Sequence, residues 1–243
     1  MIKLRSLLLP LAMLASISGW SAVEVGSGGA FSLGNGQLDL AGGELRVDGL
    51  LEVGSGHVEN IGTIVINGNV DGGTGLMEVW GDWINLGTFS AGSGDVHLLD
   101  TGGQASEILG ETTFANLSLT STAGGRFVLE SGLEQRILGT LTILGLDGTP
   151  LQVESTSPPQ PAFLWLDPAG TQAIDNVGVS NVHATGQHLA PDQTNQGGAG
   201  NDLGWFGQAL EAIPVPTLSV IGLLLLALTV LTLGNARHYR RQD

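Results

Sequence analysis

Glu44-Leu45-Arg46-Val47-Asp48 and, after it, Gly62-Thr63-Ile64-Val65-Ile66-Asn67 carry the pattern that decides the fold. Successive side chains of a β-strand point to opposite faces, so Leu45 with Val47, and Ile64 with Ile66, fall on one side. The same period-two pairing recurs in Val96 and Leu98, Leu117 and Leu119, Phe127 and Leu129, and Leu141 and Ile143. Thr, Ser, His or charged residues mostly alternate outward, which is the signature of a half-buried strand. Gly-Asn, Gly-Gly, Asn-Gly and Asp-Gly pairs interrupt the runs, and no helical periodicity intervenes between Phe31 and Phe206. This part of the chain is expected to be all-β.

Repetition narrows the architecture. Gly87-Thr88-Phe89, the stretch Thr113 to Leu119 and Gly139-Thr140-Leu141-Thr142-Ile143 read as turns of one degenerate unit, at intervals of roughly 25 residues, within the range of solenoids. Gly makes up 39 of 243 residues, more than twice the usual share of about 7 %, and there is no Cys to form a disulfide. Stacked coils supply one continuous core without staples, so a Gly-rich parallel β-helix is expected, with a Greek-key β-sandwich as the alternative. Ser155-Thr156-Ser157-Pro158-Pro159-Gln160-Pro161 must be a loop, because its prolines cannot sit inside a central strand. Ala162 to Leu166 and Ala173 to Val179 then resume strand patterning. The stretch Gly81 to Gly145 resembles the repeats of large bacterial surface proteins, in which Phe-x-Asn-Leu strands alternate with Gly-Thr strands; here Phe114-Ala115-Asn116-Leu117 carries the first of these. Asn201 to Phe206, ending in Trp205-Phe206, resembles their closing coil.

The two ends read differently from the middle. Residues 1–22 form a secretory signal peptide: Lys3 and Arg5 are its basic start, Leu7 to Ala15 its apolar run, and small residues place the cut between Ser18 and Ala22. Such a leader implies Sec-type export machinery. At the other end, residues 207–215 read as a linker and residues 216–243 as a terminal segment. Thr217 to Gly234 is an 18-residue uncharged run, reaching roughly 27 Å as a helix, just enough for a hydrocarbon core of about 30 Å. Arg237, Arg240 and Arg241 follow it at once and would stay cytoplasmic by the positive-inside rule. Residues 23–206 would then lie on the far side of the inner membrane.

Val215-Pro216-Thr217-Leu218-Ser219, with Gly222, the apolar run and the arginine end, resembles the IPTL type of C-terminal sorting signal, a relative of the PEP-type signals that exosortases process. Val220 and Ile221 stand where that family usually carries an acidic residue and Trp. The resemblance implies a Gram-negative bacterial source, transient anchoring in the inner membrane, cleavage near Pro216-Thr217-Leu218 by an exosortase-like enzyme, and release to the surface or an exopolysaccharide matrix. A single-pass anchor that is never cut is the rival reading.

Between Ala22 and Pro216, three arginines stand against 22 acidic residues, a net charge of −19. Binding nucleic acid needs clustered Lys and Arg, so that function is excluded. A lyase would want a basic proton acceptor and cationic groups, and this part of the chain has no Lys. A glycosidase needs two facing carboxylates, and the many acidic residues mark no particular pair. Among the histidines (His57, His97, His183, His188 and His238), His183 and His188 lie five apart with no third ligand at a suitable spacing. Gly197-Gly198-Ala199-Gly200-Asn201-Asp202 matches the start of a calcium-binding nonapeptide, but as one copy, with Gly204 in place of a large apolar residue, it reads as a turn. The expectation is a non-enzymatic surface or matrix protein, structural or adhesive and in contact with extracellular polysaccharide, with no metal and no cofactor. A β-helical carbohydrate-active enzyme is the less favoured alternative.

Overall fold

A computed structural model describes residues 22–208, so the segments expected to be the signal peptide (through residue 21), most of the linker and the whole sorting segment lie outside the described residues. What is described is a parallel β-solenoid of three strands per coil. The first coil is β1 (Ala22–Val25), β2 (Ala30–Ser32) and β3 (Gln37–Asp39); the second is β4 (Glu44–Val47), β5 (Leu50–Glu52) and β6 (His57–Ile61). The third holds β7 (Thr63–Ile66), β8 (Asn69–Asp71) and β9 (Leu76–Val79), and the fourth β10 (Trp83–Asn85), β11 (Thr88–Ser90) and β12 (Asp95–Asp100). Then come β13 (Ala105–Leu109), β14 (Thr112–Phe114) and β15 (Asn116–Ser121), followed by β16 (Arg126–Leu129), β17 (Glu134–Ile137) and β18 (Thr140–Leu144). The last two coils are β19 (Leu151–Ser155), β20 (Ala162–Leu166) and β21 (Thr171–Asp175), then β22 (Val177–Ser180) and β23 (Val182–Gly186).

First strands of successive coils stack into an eight-stranded sheet, and third strands into a seven-stranded one. Second strands form two four-stranded sheets that break between β11 and β14. Every ladder between named strands is parallel, which rules out the antiparallel Greek-key sandwich. No helix occurs among the described residues. The inward residues are those the alternation marks: Leu45, Val47, Ile64, Ile66, Leu98, Leu119, Phe127, Leu141 and Ile143 are fully buried. Like stacks on like, Val58 on Met77, Val96 on Leu117 and Leu117 on Leu141, so each coil buries an apolar face that it could not hide alone.

The repeat itself differs from the expected one. Leu45 stacks on Ile64 and Ile64 on Trp83, each 19 residues further on, and Leu50, Asn69 and Thr88 keep the same interval. Gly87-Thr88-Phe89 belongs to the second face and Gly139 to Ile143 to the third, while Thr113 to Leu119 spans a corner between the two. These three segments are therefore not one unit in register. Ala173 to Val179 likewise is not one strand but the end of β21 and the start of β22, with Asn176 turning between them at φ 53°.

Glycine columns hold the 19-residue coils close. Gly54, Gly73 and Gly92 stack at φ 68°, 57° and 60°, and a Cβ on any of them would strike the carbonyl oxygen of the glycine one coil earlier. Only Gly meets both demands. Later coils are longer: Trp83 pairs with Ile108 at 25 residues and Thr140 with Thr171 at 31. At the break in the second face, Trp83, Phe89 and Phe114 fill the gap with ring centroids 5.0 to 5.9 Å apart. The Trp83 indole N–H and the Asn85 amide both donate to Thr112 Oγ1, at 3.1 and 3.0 Å. At the far end, Trp205 is fully buried and bridges to Leu189, closing the stack against the edge-to-edge pairing that an open coil end invites.

Candidate functional site

The outer face of the seven-stranded sheet collects the chemistry. Val58, Met77, Val96, Leu117 and Leu141 point inward, so their neighbours Glu59, Glu78, His97, Ser118 and Thr142 point out. Glu78 pairs with His97, His97 with Ser118 and Ser118 with Thr142, forming one outward column across four coils. A parallel column holds Asp95, Asn116 and Thr140. Between them lies a shallow trough of about 210 Å³, lined by Asp95, His97, Asn116, Ser118, Thr140 and Thr142, with Leu117 at its floor.

Asn116 is fixed, since its Oδ1 accepts from the Thr140 backbone N–H at 2.8 Å. Thr140 Oγ1 lies 2.9 Å from Thr171 Oγ1. Asp95, His97, Ser118 and Thr142 make no side-chain hydrogen bonds to other described residues, so their donors and acceptors face solvent free to meet a ligand.

Beside the trough, β6 carries a bulge: Val58 pairs with Met77, but the register shifts by the time Ile61 meets Val79, and Asn60 sits at φ 53°. Bulges re-aim side chains. Here the neighbouring residues are His57 and Glu59, which with Glu78 bring three potential ligand atoms within 4.8 Å of one another. Nothing in the local sequence around His57, Glu59 or Glu78 marks them as a group. Their signal is the interval of 19 residues from Glu59 to Glu78 and again from Glu78 to His97, visible only once the repeat length is known.

Other residues weighed from the sequence are occupied elsewhere. His183 Nε2 lies 3.1 Å from Asn201 Oδ1, and its ring meets Phe163 edge-on at 5.8 Å. His183 and His188 share no three-ligand cluster among the described residues. In the nonapeptide-like stretch, Asp202 is buried and takes the side-chain amides of Asn195 and Gln208 at 2.7 and 2.6 Å, which ties the turn to the Trp205 cap. Arg46 and Arg126 lie on the outer side of the first sheet beside Asp48 and Glu154, at 3.0 and 3.6 Å. Arg136 stacks over Trp165 at 4.2 Å on the second face.

Three carboxyls at the corners, Asp39, Asp48 and Asp100, are held below their ordinary range. The Asn67 amide, at 2.6 Å, and then Arg46 hold Asp48 down; the Asn60 amide and the Ala41 N–H do the same for Asp39. These pairs link successive coils. The residues expected to form a sorting signal, Val215, Pro216, Thr217, Leu218, Ser219, Gly222, Arg237, Arg240 and Arg241, lie outside the described residues. Searches against protein-family models, curated proteins and solved structures give no match to this chain.

Proposed function

We propose that this chain is an exported, non-enzymatic surface or extracellular-matrix protein that lies against polysaccharide along the outer face of its seven-stranded sheet. The trough is the observation that supports this reading. Its walls offer hydroxyls, an amide, an imidazole and a carboxylate, the donor and acceptor inventory that matches sugar hydroxyls. Within each column successive residues stand a strand spacing of about 4.8 Å apart, a row that suits an extended chain better than a compact substrate. A signal peptide at one end and an exosortase-type sorting signal at the other would deliver such a solenoid through a cytoplasmically tailed inner-membrane precursor to the cell surface.

Co-sedimentation with the host's purified exopolysaccharide tests the reading. The protein should bind, and Ser118→Ala with Thr142→Ala should weaken binding roughly tenfold, because each lost hydrogen bond contributes about 0.5–1.5 kcal/mol. Binding that is absent, or equal in both proteins, would remove the polysaccharide from the proposal. Reducing-end release from the same polysaccharide would instead favour the carbohydrate-active enzyme.

A further inference from the structure

We infer that His57, Glu59 and Glu78 form a binding site for a divalent transition-metal ion of the zinc class. The three side chains leave β6 and β9 on the same face, each partly covered, with 33 %, 21 % and 26 % of its side chain exposed. His57 Nε2 stands 3.1 Å from Glu78 Oε2. Ligands held at about 2.0–2.2 Å around a tetrahedral ion lie roughly 3.3 Å from one another, so this pair already has the spacing of one coordination edge. Glu59 offers the third ligand atom, within 4.8 Å of those of His57 and Glu78, near enough to complete a third position by a side-chain rotation. Its Oε1 accepts from Gln37 Nε2 at 2.5 Å, an outer partner of the kind that orients metal-bound carboxylates.

Two further observations point to a cation. Among the described residues the arginines sit on β4, β16 and β17, in the first sheet and on the second face, and there is no lysine. Asp39 and Glu59 are partners on adjacent strands and Glu78 lies close to Glu59, so these carboxylates of the third face repel one another and have no Arg or Lys partner there. Secondly, both nitrogens of the His57 ring face a carboxylate, although a neutral imidazole has only one N–H to give. The other nitrogen turns a lone pair towards carboxylate oxygen, a repulsion that an ion between them reverses. One nitrogen with two carboxylates selects zinc-like ions over calcium or magnesium, which prefer oxygen alone. Three protein ligands leave an open position towards solvent.

Titration calorimetry of the full chain in mild detergent, stripped with a chelator and titrated with zinc chloride, tests the site. One zinc ion per chain should bind, with little response to calcium chloride. His57→Gln and Glu78→Gln should each lower the affinity tenfold or more, while Glu52→Gln, on the second face, should leave it unchanged. Imidazole nitrogen resonances of the unmutated protein provide a readout that needs no variant, since zinc should shift the His57 ring before those of His97, His183, His188 and His238. No zinc uptake, equal uptake by the cluster variants, or a His57 ring that keeps both protons under saturating zinc would overturn the site and leave an imidazolium bridging two carboxylates.

Discussion

Asp100 shows how one residue can hold a corner of the solenoid together. It is 4 % exposed, yet accepts from the Ser121 hydroxyl at 2.7 Å and from the backbone N–H groups of Gly102, Gly103 and Gln104 at 3.0 to 3.2 Å. Burial raises its pKa, but those four donors together outweigh burial and bring it below the ordinary carboxylate range. A folded-state pKa below the unfolded one contributes stability that is present in full above the unfolded value, about 3.9, and is lost as pH falls through the folded value. Asp100→Asn should therefore lower stability at neutral pH by about 1–3 kcal/mol, since it turns an amide N–H towards backbone donors. It should also flatten the acid limb of a denaturation series below pH ~4. A variant as acid-labile as its parent would assign that limb to other carboxyls. Gly73 makes the same point for the backbone: Gly73→Ala, with positive φ and no room for a Cβ, should cost about 1–2 kcal/mol or more. Gly26→Ala has open space and no positive φ, and should be neutral or slightly stabilising in a denaturant melt.

At the scale of a strand, the contrast between faces is sharpest on β7. Ile64 is fully buried between Leu45 and Trp83, so Ile64→Ala should lower stability by about 2–5 kcal/mol through lost burial and the cavity left behind. Thr63→Ala, on the partly exposed side, should stay within about 0.5 kcal/mol in the same chemical denaturation. Equal losses would mean that the coil is not packed as the stacking describes. Which residues point inward was legible because period two follows from the backbone alone. The repeat length was not, although Gly49, Gly54 and Gly56 return as Gly68, Gly73 and Gly75 and again as Gly87, Gly92 and Gly94. Glycine signals its role through what stands a coil away, and short triplets look alike on every face, so Gly87-Thr88-Phe89 and Gly139-Thr140-Leu141 resemble each other although they lie on different faces. Later coils blur the period, because the turn at Gly102 to Gln104 and the proline loop at Ser157 to Pro161 lengthen them without changing what stacks inside. The His57, Glu59 and Glu78 cluster was hidden for the same reason. Its members are two and nineteen residues apart, a relation with no meaning until 19 is a coil.

For the whole molecule, the proposed function turns on whether the C-terminal segment is an address, as proposed, or its rival, a permanent anchor. Replacing Pro216 and Thr217 by Ala leaves Leu218 to Gly234 apolar and Arg237, Arg240 and Arg241 in place, so insertion and orientation should be unchanged. An exosortase-like enzyme, in contrast, would read the Pro-Thr-Leu core at the outer edge of the membrane. The two effects should therefore separate. In the native host the unmutated protein should leave the membrane fraction without its C-terminal segment, as mass spectrometry of its terminus would show, and the double variant should accumulate in membranes with the segment intact. Replacing the three arginines by Ser should act on the other property, weakening retention and orientation, because the positive charges that would hold that end in the cytoplasm on the proposed topology are gone. If the unmutated protein keeps its tail, and the Pro216 and Thr217 replacements alter neither its mass nor its fractionation, the segment is a plain single-pass anchor. The solenoid then works at the membrane and not in the matrix beyond it.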